Sequence, residues 1–371
     1  MTKIKVGVIL GTRPEIIKLS PVIDECIARD IDFFITHTGQ HYSYELDKIF
    51  LEELKLPQPK YNIEVGSLSH GAMTGRMLER LEKVFLQEKP DVILVEGDTN
   101  TVLAGALTAV KMGIKVGHVE AGLRSHDKRM PEEHNRKLAD HISDYLFAPT
   151  QLTKQNLLKE NIPEKNIFVT GNTIVDAVNR NIVISNQKSD ILKNLNLKKE
   201  EYIVTTLHRQ ENVDNLDFIK KVLNTFKEIS DKYGIKIIYP IHPRTNKMID
   251  IFNIRKEVEN ISDLSLITPL GYIDFLKLQA NAKMVITDSG GIQEESCILK
   301  VPCATFRLST ERPETVEVGS NIVSGLTQEG MISSIHHMMN KKDKDWINPL
   351  GDGTAAKKIV TILENDSRSL G

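Results

Sequence analysis

The sequence predicts two doubly wound α/β domains in tandem, and three observations carry that prediction. Short β-branched apolar runs alternate with longer helical patterns along the chain. These runs are continuously apolar rather than alternating, as in parallel strands buried on both faces. With 371 residues, 40% of them hydrophobic, the chain is also longer than one core usually organises.

Taken in order, residues 4–10 read as a buried strand. A helix follows from Pro14, with proline at its first position, where the missing N–H costs nothing. Further strands fall at 32–37, 91–95, 114–119, 145–148 and 167–170. Between them lie an Ala/Leu-rich helix from Thr101, a helix opened by Pro131 and running to about Ser143, and one over 151–160. The stretch 181–200 is polar, rich in Asn and Lys, and reads as the approach to a domain boundary. A second array has strands at 202–207, 235–241, 264–267, 284–287 and 302–306. A last helix, about 353–364, follows a loop with Asn348, Pro349 and Gly351. The domains expected are 1–172 plus 354–371, and 173–353.

Composition narrows the function. Lys+Arg 48 against Asp+Glu 50 leaves a formal charge of -2, so no basic field invites nucleic acid. Cys26, Cys297 and Cys303 cannot all pair and show no metal spacing, which fits a reducing compartment. The apolar run at the start is too short for a secretion signal, and no stretch approaches the roughly 18 apolar residues of a membrane span. The expectation is a soluble, cytoplasmic chain.

Open α/β sheets bind ligands outside the carboxyl ends of their strands, so motifs just after strands matter most. Gly11-Thr12-Arg13-Pro14-Glu15, with Lys18, sits at a strand-to-helix turn; two cations at a helix N-terminus suit a diphosphate. Glu96-Gly97-Asp98-Thr99 and His118-Val119-Glu120-Ala121-Gly122-Leu123-Arg124 follow later strands, and Pro131-Glu132-Glu133-His134-Asn135-Arg136 opens a helix. Each acid alone reads as a cap or dipole partner. Three acids, Asp98, Glu120 and Glu132, at three ends of one domain make an inventory for acid/base work at one carbon.

In the second array, Thr206-Leu207-His208-Arg209-Gln210-Glu211-Asn212 and His242 lie at strand ends, where imidazole and guanidinium can meet phosphate. Asp288-Ser289-Gly290-Gly291-Ile292-Gln293-Glu294-Glu295 is a strand, a Gly-Gly turn and a helix start, which forms an anion nest. Glu295 is placed to accept from ribose hydroxyls, and Arg312 in Thr310-Glu311-Arg312-Pro313-Glu314 to add a charge-assisted contact to phosphate. There is no GxGxxG after the first strand, no HExxH and no GxSxG, so nicotinamide, zinc-hydrolase and serine-elbow chemistry are unsupported. No cofactor and no metal is expected.

Taken together, GTRPE, EGDT, HVEAGLR, PEEHNR, TLHRQEN, DSGGIQEE and TERPE resemble the non-hydrolysing UDP-N-acetylglucosamine 2-epimerase family, in order from Gly11 to Glu314. The resemblance implies a glycosyltransferase-B arrangement of two Rossmann-like domains facing a central cleft, with the C-terminal helix returning to the first domain. It implies acid/base roles for Asp98, Glu120 and Glu132, and a histidine beside the diphosphate at His208. It implies diphosphate cations at Arg13 and Lys18, a phosphate turn at Ser289, Gly290 and Gly291, a ribose contact at Glu295, a uracil platform at Phe275 and a further arginine at Arg312. It also implies a UDP-sugar substrate, a homodimer, and a product bound for surface polysaccharide.

Bacterial members are often activated by a second UDP-N-acetylglucosamine, and Gln40, His41, Glu133, Arg209 and His242 match parts of that pattern. The match is incomplete: Tyr42-Ser43-Tyr44-Glu45 lacks the second glutamine, and Ser67-Leu68 stands where an Arg-Gln pair is expected. Rival readings are a hydrolysing epimerase, a glycosyltransferase on the same scaffold and a non-catalytic UDP-sugar sensor. The retained acids disfavour the sensor.

Overall fold

The computed structural model describes residues 4–40 and 50–369. Compact packing divides the chain into two units, Met1–Asn179 with Leu350–Gly371, and Arg180–Pro349. The division falls inside the helix Thr173–Lys188, seven residues beyond the boundary expected from sequence.

The first unit carries a seven-stranded sheet: β1 (Lys5–Leu10), β2 (Asp32–His37), β3 (Tyr61–Asn62), β4 (Val92–Glu96), β5 (Lys115–Val119), β6 (Tyr145–Ala148) and β7 (Ile167–Val169). Every pairing is parallel, in the order β3-β2-β1-β4-β5-β6-β7. Chain direction across the sheet reverses between β1 and β4, so the turns leaving these strands diverge and open a crevice at their carboxyl ends. Both faces are covered. Ile9, Phe34, Ile93 and Val95 share a core with Met77, Leu81 and Phe85 of the helix His70–Glu88.

The second unit repeats the plan. Its strands are β8 (Tyr202–Thr206), β9 (Lys236–Pro240), β10 (Leu264–Ile267), β11 (Met284–Thr287), β12 (Cys303–Thr305) and β13 (Asn321–Val323), ordered β10-β9-β8-β11-β12-β13 and again all parallel. The period of two is visible in β8. Ile203 joins the core around Phe226 and Phe306, while Tyr202 and Val204 join the opposite one around Leu278 and Val285. The switch point lies between β8 and β11.

The C-terminal helix Ala355–Ser369 packs on the first unit, as the family resemblance implies. Arg29 donates to Thr361 at 2.9 Å and to Glu364 at 2.8 Å, and the backbone amides of Ala355 and Ala356 donate to Asp176. The strands expected from sequence are present. The short edge strands β3 and β13 are additions, because two or three residues carry no readable period.

Among the described residues, no helix is long and apolar enough to cross a membrane. None of their His, Cys, Asp and Glu side chains form a group of three that could hold a metal ion.

Candidate active site

In the first unit the chemistry begins at the carboxyl end of β1. Glu15, a turn into the helix Arg13–Ala28, folds back so that its carboxylate accepts from the amides of Gly11 at 2.5 Å and Thr12 at 3.1 Å, and from the Thr99 hydroxyl at 2.5 Å. The helix start is thus capped from within. Burial raises the Glu15 carboxyl to about 7, with these hydrogen bonds opposing the rise. Arg13 lies with its guanidinium 5.1 Å from the Phe50 ring centroid.

Lys18, expected beside a diphosphate, is buried and directed at carboxylates. Its ammonium donates to Glu120 and lies 3.5 Å from Glu96, both also buried. Burial pushes Glu96 well above the usual carboxylate range; Lys18 pulls it back and the charge of Glu120 adds to the rise. Glu120 also accepts from the Asn172 amide at 3.1 Å. Its φ of +70° is left-handed, unusual for a residue with a Cβ and costing of order 1–3 kcal/mol. Such strain persists only where neighbours over-determine the backbone, as they do at this carboxylate.

Asp98 follows β4 through Gly97, whose φ of +85° suits glycine. Its carboxylate accepts from Arg136, and its side chain remains 30% exposed. Arg136 also donates to Glu133 at 2.5 Å. Glu133, a candidate effector ligand by resemblance, is buried and accepts from the Ser125 amide at 2.9 Å, the Ser125 hydroxyl at 3.0 Å and the His126 amide at 3.2 Å. Burial raises its carboxyl, but these amides and Arg136 outweigh burial and hold it below the usual range. Glu132, its neighbour in the helix Pro131–Ile142, is half-buried, and its carboxylate has no hydrogen-bond or ion-pair partner among the described residues.

Behind Asp98 lies a chain of buried charge that motif reading missed. His118 Nδ1 is 2.7 Å from Asp140 and its Nε2 2.8 Å from the Gly97 carbonyl. Asp140 also meets Arg124 at 2.7 Å, and Arg124 makes a two-pronged contact with Glu160 at 2.8 and 2.6 Å. Gln40, another candidate effector ligand, is buried and accepts from the Thr101 amide at 3.0 Å and hydroxyl at 2.8 Å. His41 lies outside the described residues. A cavity of about 510 Å³ opens nearby, lined by His70, Thr74, Asn100, His134 and Asn135 among others; none of the three acids lines it.

In the second unit the hub is Asp288, just past β11. It accepts from the amides of His208 at 3.1 Å and Arg209 at 3.0 Å, from the Asn212 amide nitrogen at 3.1 Å, and faces His208 Nδ1 at 3.2 Å. Burial raises its carboxyl; the His208 charge, His208 hydrogen bond and other donors outweigh it, so the group sits below the usual range. One buried acid therefore orients the imidazole of His208, which stays 41% exposed. The His208 and His242 rings lie 5.8 Å apart, and His242 Nδ1 caps the helix Pro243–Ile251 by accepting from Arg244 N at 3.2 Å. Arg209 donates to the Asp288 carbonyl at 2.9 Å.

The helix Gly290–Ile298 starts beside this hub with Ser289 as N-cap, yet no side chain caps it. The Gly290 and Gly291 amides have no acceptor among the described residues, and a Cβ built on Gly291 would meet nothing within 4 Å. Glu295 is buried against Gln279, which donates at 2.9 Å in its satisfied orientation, and beside Tyr272. Arg312 is buried and donates to Glu294. Phe275 is partly buried against the core of Val204 and Leu278.

The structure therefore joins Lys18 to Glu120 in one buried cluster of the first unit, and Asp98 to Glu133 through Arg136 in a second. It gathers His208, Arg209 and His242 around the Asp288 hub in the second unit. Sequence reasoning missed Arg136, Asp140, Asn172 and the role of Asp288. Arg136 and Asp288 stood inside quoted motifs; nothing local links Asn172 to a residue 52 positions earlier.

The fold and site define a class: a glycosyltransferase-B-type protein of two doubly wound units, with carboxylates at one sheet's carboxyl edge and an open anion nest at the other's. The chain belongs to the UDP-N-acetylglucosamine 2-epimerase family, whose model matches residues 25–364, and it is an isomerase. It is 52% identical to the UDP-N-acetylglucosamine 2-epimerase of Methanococcus maripaludis over 98% of this chain and 99% of that one. It is 54% identical to the enzyme of that name from Methanocaldococcus jannaschii over 97% of this chain and 98% of that one. The crystal structure of the M. jannaschii UDP-GlcNAc 2-epimerase in complex with UDP-GlcNAc and UDP superposes with a TM-score of 0.92, at 54% identity, covering 97% and 99% of the two chains.

Proposed function

We propose that this chain interconverts UDP-N-acetylglucosamine and UDP-N-acetylmannosamine without net hydrolysis. The observation that carries the reading is the set of carboxylates in the first unit: Asp98 and Glu120 at strand ends held by buried cations, and Glu132 at a helix start, half-buried and without a partner among the described residues. Near-full-length identity of 52–54% to two proteins of that name supports the substrate.

The chemistry explains why carboxyl groups are needed on both faces of the sugar. The C2 hydrogen of a hexosamine adjoins no carbonyl, so direct deprotonation is slow. When the C1–O bond breaks, UDP leaves with both bonding electrons and C1 becomes oxocarbenium-like. A carboxylate of the first unit then takes the C2 proton, and the C2–H electrons become the C1=C2 bond of 2-acetamidoglucal. On return, a carboxyl on the other face protonates C2 and the UDP oxygen adds back to C1. Asp98, Glu120 and Glu132 serve as the acid/base groups. UDP is held throughout by the second unit, through the Gly290–Gly291 amides, His208 and Arg209 at the diphosphate, with Phe275 against the uracil and Glu295 towards the ribose.

The finer setting belongs to the same proposal. The protein works in the cytoplasm as a homodimer, and its product feeds surface polysaccharide.

The test is proton NMR with UDP-N-acetylglucosamine in deuterated water. UDP-N-acetylmannosamine bearing deuterium at C2, with no free sugar, is the expected result. Free N-acetylmannosamine with UDP would overturn the non-hydrolysing reading. Asp98→Asn and Glu132→Gln should each lower turnover about 100-fold or more with UDP affinity unchanged; near-normal turnover in both would remove these acids from the chemistry.

A further inference from the structure

The helix Pro131–Ile142 buries a polar face. Its inward residues are Glu133, Asn135, Arg136, Ala139 and Asp140, only one of them apolar. Removing ions from water costs several kcal/mol each unless every group is paired. A fold seeking stability alone would fill these positions with apolar side chains.

Three of the residues converge on one turn. Asn135 donates to the Asp98 carbonyl at 3.0 Å, and Arg136 donates to the Asp98 carboxylate. Asp140 reaches the same turn through His118, which stands between Asp140 at 2.7 Å and the Gly97 carbonyl at 2.8 Å. Both ring nitrogens face acceptors, so both must carry hydrogen: His118 is an imidazolium. Its surroundings accept that charge. Asp140 and Glu160 are negative, Arg124 is positive and lies on Asp140, and the imidazolium brings these four groups to neutrality. Burial disfavours the cation, but the charge and hydrogen bond of Asp140 outweigh burial and raise the His118 pKa.

We propose that His118 and Asp140 are positioning residues for Asp98. The Asp140–His118 pair clamps the Gly97 carbonyl and so fixes where the next side chain, the Asp98 carboxylate, stands. Gly97 is in the left-handed region and has no side chain with which to anchor itself. A clamp on its carbonyl replaces the missing restraint. Reacting groups misplaced by about 1 Å can lose about 100-fold in rate.

This inference rests on the reading of Asp98 as an acid/base group, and a double-mutant cycle separates the two. His118→Asn has one short amide donor and cannot bridge both acceptors. It should lower kcat by about 10- to 50-fold with KM changed less than about threefold. On an Asp98→Asn background, the same substitution should cost less than about threefold, because the residue acts through Asp98. A purely structural residue would instead lower both backgrounds by the same factor. Should His118→Asn fail to fold, Asp140→Asn, which keeps the shape and removes the charge, runs the same cycle. An unaltered kcat in the single variant, or equal losses on both backgrounds, overturns the positioning role while leaving Asp98 in place. Near-normal turnover in Asp98→Asn alone would overturn the reading of Asp98 and the inference with it.

Discussion

The two units solve opposite electrostatic problems with the same topology. In the first, the strand ends are rich in carboxylates and almost all are answered internally: Glu120 by Lys18 and Asn172, Asp98 by Arg136, Glu133 by Ser125, His126 and Arg136. Even the helix start after β1 is closed by its own Glu15. In the second, a single buried acid, Asp288, gathers the loop after β8, and the helix start after β11 has no side-chain cap. On the proposed function, the first unit moves protons with carboxylates locked in place, and the second grips an anion with backbone donors left open. The same turn, strand to helix, is filled in one unit and empty in the other.

That contrast can be broken most sharply at Lys18. If it is the counter-ion of a carboxylate pair, Lys18→Met leaves Glu96 and Glu120 buried without its positive charge. Stability should then fall by about 3–5 kcal/mol, measured as a lowered denaturant midpoint in the absence of ligand. A variant as stable as its parent would show that Lys18 serves a ligand instead.

Glu15 tests the closed helix start through pH. Its carboxyl lies at about 7 in the folded chain against a model-peptide value of 4.5. The folded state therefore holds a proton that the unfolded state releases as pH rises from about 4.5. Below 4.5 both states are protonated and nothing is lost. Between 4.5 and 7 stability falls, and above 7 the full penalty, about 3 kcal/mol, is in place. Glu15→Gln keeps the amide contacts without the charge. It should flatten this part of the stability–pH curve and stabilise the chain at pH 8; an unchanged slope between pH 5 and 7 would remove Glu15 as its source.

The smallest effect belongs to Gly291. A Cβ there meets no atom, so Gly291→Ala should fold as well as the parent or gain up to about 1 kcal/mol. If a diphosphate oxygen approaches the amides of this turn, the added methyl stands in its way and UDP affinity should drop about 10-fold. Calorimetric titration reads the affinity and thermal melting the stability. A loss of affinity without a loss of stability is what an open anion nest requires.

Much of the fold was legible because buried parallel strands are continuous apolar runs. Residues 202–206 illustrate this, since both faces of β8 meet a core. The edge strands β3 and β13 were not legible, being too short to show a period. Candidate residues were legible where the fold places them just after a strand, as with Asp98, Glu120 and His208. What each one touches was not. Lys18 looked like a phosphate cation because it follows Arg13 at a helix start, and only the position of β5 beside β4 brings Glu120 to it. Gln40 and Glu133 matched an effector pattern, and packing ties both into the interior of the first unit.

By itself the sequence determined the fold class, the strand order of chemistry along the chain and the family, because local periodicity and short motifs are properties of neighbouring residues. Tertiary structure alone decided the partners. Whether a carboxylate is free, capped, or locked to a cation depends on residues as far as 102 positions apart that meet only when strands align. Charge pairing falls off steeply with distance and desolvation acts only on burial. The electrostatics of Glu120, His118 and Asp140 therefore exist in the packed sheet and have no counterpart in the linear chain.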